Sequence, residues 1–179
     1  RAITYFICSI TGEAKVGKTG VAIDCRTEQE IKDGWKVYVL DYDRGAEPTW
    51  QAGWSKDPNI VIFDPTEKRA DGSTDWDTTF KNGLAFVRMC KEAIAAGEQV
   101  KAFVLDGVDK ALEGSSDLLR EHLVQHQMRE GSIMLPTDSV RVSTLDWKIR
   151  NRIYNRQLDN IIDLQCHVFF ITPMKPIYG

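Results

Sequence analysis

No stretch of the 179-residue sequence approaches the ~20 consecutive apolar residues that a membrane-spanning helix requires, so no membrane partner is expected. Cysteine is sparse: Cys8, Cys25, Cys90 and Cys166 are scattered with no C-x-x-C pair. They offer neither zinc-site spacing nor a disulfide framework and read as buried free thiols. Neither sign of charge dominates, with 23 Lys and Arg against 26 Asp and Glu. That balance argues against a generally basic nucleic-acid coat and leaves a local basic face open. The apolar stretch 3–10 is too short for a signal peptide and lacks its small-residue cleavage site. The chain opens on Arg1 and stops at Gly179 directly after a strand-like segment, and so reads as a fragment whose ends continue. There are no internal repeats and no dividing linker, so residues 1–179 read as one domain. A soluble chain inside the cell is expected.

What is present is an ordinary globular composition, 42% hydrophobic and 27% charged, enough apolar surface for a core. Five β-branched, apolar segments stand out at 3–10, 36–40, 60–63, 102–105 and 167–171. None alternates cleanly with polar residues, which predicts strands buried on both faces of a parallel sheet. Helical signals at 19–32, 78–96, 115–130 and 145–164 separate them, with polar loops at 64–77 and 131–144. Strands alternating with helices predict an α/β fold in three layers, with a mostly parallel sheet and right-handed crossovers.

After the first strand, Gly12-Glu13-Ala14-Lys15-Val16-Gly17-Lys18-Thr19 matches G-x-x-x-x-G-K-[ST], the phosphate-binding loop. The two glycines let backbone N–H groups wrap an anion, Lys18 carries a cation to the β- and γ-phosphates, and the Thr19 hydroxyl can ligate Mg²⁺. Gly20 follows in the helix whose positive end points at the anion, and completes the candidate nucleotide-binding set. Lys15 is either a solvated lysine or a contact to phosphate or a neighbouring subunit.

Nucleotide hydrolysis needs a carboxylate beside Mg²⁺ and a group that orients the attacking water. Phe103-Val104-Leu105-Asp106 is an apolar strand ending in an acid, which makes Asp106 the metal-side candidate. Asp109 is expected to cap the next helix or meet solvent. The second strand ends Leu40-Asp41-Tyr42-Asp43, with two acids two residues apart on one side of an extended chain. Either acid could hold the water, be a turn acid, or pair with Arg44.

In this order the motifs resemble the RecA/RadA-like ATPases, especially the small phage recombination ATPases. The resemblance rests on the 12–19 loop, Leu40-Asp41-Tyr42-Asp43, the 60–63 strand, Phe103–Asp106 and Phe169-Phe170-Ile171-Thr172. It implies a P-loop NTPase core that hydrolyses ATP with Mg²⁺ and acts on DNA in recombination or annealing. It also implies a homo-oligomer with nucleotide at the subunit interface and, for a phage-encoded chain, a bacterial host's cytoplasm. Asp43 then takes the place of the family's water-activating glutamate and Thr172 that of its sensor residue. Two departures stand: Asp43 is one methylene shorter than Glu, and Pro173 follows where many relatives carry Gln or His. The family's last strand would lie beyond Gly179.

The family's DNA-contacting loop lies between the acid strand and the sensor strand. That region here carries Arg141, Trp147, Lys148, Arg150, Arg152 and Arg156. Arg and Lys would neutralise phosphates and Trp147 would stack on a base. The alternative is a solvated helix face with Trp147 in the core. His122 and His126 lack the Glu and the third ligand of a zinc site and read as a solvated pair. Competing functions are a helicase-loading or DNA-packaging ATPase, a small-molecule kinase using the basic helix as a lid, and a non-catalytic nucleotide-binding assembly protein. A GTPase would need an N-K-x-D segment, and none is present.

Overall fold

The computed structural model describes residues 4–13, 15–129 and 143–174, the side chains of 126–129 excepted. Five strands form one all-parallel sheet: β1 Ile7–Gly12, β2 Lys36–Asp41, β3 Ile60–Phe63, β4 Val100–Asp106 and β5 His167–Pro173. Their order across the sheet is β1-β5-β4-β2-β3. Side chains alternate between two apolar layers, as a strand period of two dictates. Val37, Val39, Val104 and Ile171 pack towards α1 (Lys18–Ile23) and α3 (Ala46–Gly53). Tyr38, Leu40, Phe103, Leu105 and Val168 pack towards α4 (Trp76–Ala95), α5 (Val108–Arg129) and α6 (Thr144–Ile162). Both faces of β2 and β4 are therefore buried, which is why neither strand alternates apolar with polar residues.

The single helix expected over 19–32 is two. α1 ends at Ile23, and α2 spans Glu28–Lys32 behind a capping box between Thr27 and Glu30. Between them the chain turns Arg26 inward, where its guanidinium donates to the Trp35 carbonyl and to Asp57. α3 was not foreseen at all. It is eight residues long, and its first turn is organised by an acid five positions upstream. α5 begins at Val108, seven residues ahead of the predicted start, because Gly107 at φ 87° turns the chain straight from β4 into the helix. The start of α4 follows its cap, with Asp75 accepting from the Thr78 N–H at 3.2 Å. Ser143 and Asp146 form the equivalent box on α6.

Candidate functional site

The sheet brings the carboxyl ends of β1, β5 and β4 side by side. Gly12 pairs with Pro173, Ile171 with Asp106, and Asp106 with Asp41 of β2. Ligand sites of open α/β sheets lie beyond these strand ends. The loop leaving β1 bends through left-handed backbone at Lys15 (φ 65°) and Gly17 (φ 84°), the latter immediately before α1. Only glycine adopts that region without strain, which explains Gly17. The bend carries Lys18 back over the loop, where its Nζ donates to the carbonyls of Gly12 (3.0 Å) and Glu13 (2.6 Å).

Thr19 Oγ1 donates to Asp106 Oδ2 at 2.6 Å, tying the loop helix to the end of β4. Burial pushes the Asp106 carboxyl up to about 6; the Asp41 and Asp43 charges push the same way, against the Thr19 hydroxyl and Lys18. The two acids after β2 have separate roles. Asp41 is buried and accepts the backbone N–H groups of Asp43 (3.1 Å), Gly45 (3.3 Å) and Ala46 (2.8 Å). It is the turn acid that shapes the entry to α3, and burial raises its carboxyl despite those donors. Asp43 is exposed and free of that duty. Arg44 pairs with neither acid but with Asp64 at 2.8 Å. Gly107 packs under Asp43 so closely that a Cβ there would stand 2.9 Å from the Asp43 nitrogen.

These groups surround a cavity of about 300 Å³, with Lys15, Lys18 and Thr19 on the loop side and Asp43 and Asp106 opposite. Ile171 and Pro173 close one wall. Thr172, between them on β5, is not part of the lining; alternation turns it the other way, and it pairs with Thr11. A second, mostly apolar cleft of about 890 Å³ opens from the same loop between α1 and α3, with Val21, Pro48, Ala52 and Trp54 on its walls. Gly20 is buried beneath Trp54. No protein-family model matches the chain, and no curated protein matches it.

Of the residues expected in the nucleotide set, Lys15, Gly17, Lys18, Thr19 and Gly20 line one or both of these spaces, Gly12, Glu13 and Val16 line neither, and Ala14 lies outside the described residues. Gly45, Thr49 and Trp54 were missed because α3 was missed. Their one legible signal was Pro48, a residue favoured in a helix's first turn.

The basic residues of α6 divide into two groups. Lys148, Arg152 and Arg156 line one shallow groove of about 560 Å³ together with Asn151, Asn155, Asn160 and one acid, Asp159. Arg150 points elsewhere, its guanidinium 4.6 Å from the Trp147 ring centroid. Trp147 is 41% exposed and so is not a core residue. Arg141 and the side chain of His126 lie outside the described residues. Among the described residues no cluster of three or more His, Cys, Asp or Glu could hold a metal alone, and all four cysteines are free thiols. No described helix is long and apolar enough to cross a membrane.

Proposed function

We propose that this chain is a Mg²⁺-dependent ATPase built on a RecA-like P-loop core. The observation that carries the reading is the Thr19–Asp106 hydrogen bond, which unites the loop motif with the strand-end acid in one cavity that Lys18 and Asp43 also line. Lys18 is held by two loop carbonyls that a phosphate oxygen can replace, so binding exchanges neutral acceptors for an anion. Thr19 Oγ1 and Asp106 Oδ2 would hold Mg²⁺. One hydroxyl and one carboxylate suit an ion that keeps several waters and takes its remaining ligands from phosphates. When bound, the ion neutralises charge on the β- and γ-phosphate oxygens.

Asp43 is the residue we assign to the attacking water, since Asp41 is committed to three backbone donors. A carboxylate in that role accepts a water proton and fixes the oxygen in line with the phosphorus. The apolar cleft between α1 and α3 then receives the nucleobase, whose faces are hydrophobic. Action on single-stranded DNA is the further part of the proposal, supported by the groove along Lys148, Arg152 and Arg156. A homo-oligomer with nucleotide between subunits is the arrangement we propose for it. Turnover of ATP with Mg²⁺, measured with and without single-stranded DNA for the parent and Lys18→Ala, tests the reading. Parent-like affinity and turnover in Lys18→Ala would remove it.

A further inference from the structure

The outer end of the cleft between α1 and α3 carries a polar device that phosphate binding does not use. The Trp54 indole leans on α1 where Gly20 leaves room for it; a Cβ on Gly20 would stand 3.3 Å from the ring. From that position Trp54 Nε1 donates to Asp24 Oδ1 at 3.2 Å. Asp24 is the C-cap of α1, held by its own N–H on the Gly20 carbonyl. One carboxylate oxygen is thereby fixed, and among the described residues Oδ2 accepts no hydrogen bond. Both Asp24 and Trp54 line the cleft.

The distance fits a nucleoside. Lys18 opens α1 and Asp24 follows its last residue, so the rise of the helix separates them by about 9 Å. A ligand with its phosphates at Lys18 and its body between α1 and α3 brings the far edge of its base to Asp24. The base meets apolar walls along its faces and one oriented, acceptor-only oxygen at its edge.

We infer that Asp24 selects the base: its free Oδ2 accepts an N–H of a 6-amino purine and repels the carbonyl of a 6-oxo purine in the same pose. The inference rests on the nucleotide-binding reading above and adds the residue that discriminates among nucleotides. A donor at position 6 completes a charge-assisted hydrogen bond. An oxygen there opposes acceptor to acceptor and leaves both groups without a partner. Because Asp24 is exposed, water relieves part of that mismatch, and the preference is expected to be roughly tenfold, not the far larger factor of a sealed pocket.

Equilibrium titration of the full chain with ATP, inosine triphosphate and inorganic tripolyphosphate, each with Mg²⁺, tests this. ATP and inosine triphosphate differ only along one base edge, a 6-amino group beside an acceptor N1 in the first and a 6-oxo group beside an N1–H in the second, and tripolyphosphate reports the loop without a base. The parent is expected to bind ATP roughly tenfold more tightly than inosine triphosphate. In Asp24→Asn the ratio is expected to fall to about one, because the amide can turn its N–H₂ to a 6-oxo group. Tripolyphosphate affinity is expected to stay the same, and Oδ1 remains to accept from Trp54, so folding is retained. A parent with no preference, or an unchanged ratio in Asp24→Asn, overturns the assignment of Asp24 and leaves nucleotide binding standing. A parent that binds neither tripolyphosphate nor any nucleotide overturns the nucleotide-binding reading and this inference with it.

Discussion

Thr19 and Asp106 are joined by a 2.6 Å hydrogen bond across 87 positions of chain. The bond holds a carboxylate that burial and two neighbouring acids would sooner see protonated. The folded chain therefore binds a proton at Asp106 more tightly than the unfolded chain does, with a carboxyl near 6 against an ordinary 3.8. This group favours the fold most at low pH, and its contribution is lost as pH rises from about 3.8 to about 6. With chelator present, Asp106→Asn is expected to be the more stable protein at pH 7, by an amount of the order of 2 kcal/mol. The gain should vanish near pH 4 in urea titrations. The same variant is expected to lose Mg²⁺-dependent turnover.

Asp41 and Asp43 should separate cleanly. Asp43→Asn is expected to bind ATP and lose turnover by on the order of 10², with stability within about 0.5 kcal/mol of the parent. Asp41→Ala leaves three backbone donors without their acceptor in a buried turn. It is expected to cost about 2 kcal/mol in thermal unfolding. If Asp41→Asn alone stops turnover in a folded protein, the water belongs to Asp41.

Tyr42 buries a hydroxyl that has no hydrogen-bond partner among the described residues, directed at Gly83 of α4. Tyr42→Phe is expected to be neutral or to stabilise by up to about 1 kcal/mol, because it removes an unsatisfied polar atom and keeps the ring on Phe80. Gly83→Ala drives a methyl into that hydroxyl and is expected to destabilise the parent, and to do so less in the Tyr42→Phe background.

His167 stacks on Phe6 with ring centroids 4.1 Å apart and accepts the Phe6 N–H through Nδ1 at 3.3 Å. Only the neutral ring can accept, and burial, with Lys101 nearby, lowers its pKa below 6.5. The folded state thus binds this proton less readily than the unfolded state. Stability is full above about 6.5 and falls as pH drops through that value towards the lowered folded one. Asp106 acts in the opposite direction, so the measurement belongs in Asp106→Asn with chelator. His167→Gln in that background is expected to flatten the pH dependence between pH 7 and 5.

On α6 the groove residues and Arg150 should behave differently. Replacing Lys148, Arg152 and Arg156 by Ala is expected to weaken single-stranded DNA binding and to lower the log–log salt slope by roughly 0.7 per lost phosphate contact. Basal ATP turnover should survive. Arg150→Ala, which removes the contact to Trp147, should leave the slope unchanged. An unaltered slope in the triple variant would make the groove a plain solvated surface.

The five strands, the parallel sheet and the left-handed turn at Gly17 were legible because each is written in a local run of residues. An apolar stretch of four to seven residues meets the same environment wherever a buried sheet forms, as in β2 and β4, whereas β1 lies at the sheet edge, starts at Ile7 instead of residue 3 and is not buried on both faces as expected. Gly17 caps α1 and Lys18 opens it, at a turn whose conformation depends on near neighbours. Four features were out of reach, two because they depend on residues distant in the chain and two because they depend on which way a near neighbour's side chain turns. The break at Arg26 depends on Asp57 and Trp35, and the early start of α5 depends on a glycine packed under Asp43. α3 depends on an acid that spends both its oxygens on the backbone ahead of it. Arg150 turned from its neighbours on α6 because Trp147 offered it a ring face.

The division at the site follows the same line. Residue type and spacing name the groups that the proposed phosphate site would use, since a cation, a hydroxyl and two glycines at those intervals are useful wherever the loop lies. Which acid faces them is a matter of strand order and register: β5 and β4 carry Ile171 and Asp106 to the loop opening, and the pleat turns Thr172 away. Asp41 and Asp43 have the same chemistry, and only the burial of one beneath the turn to α3 tells them apart. Thr19 and Asp106 meet across 87 positions, and the bonds from Asp41 to its near neighbours depend on its burial, so the energies of both appear only once the chain is packed.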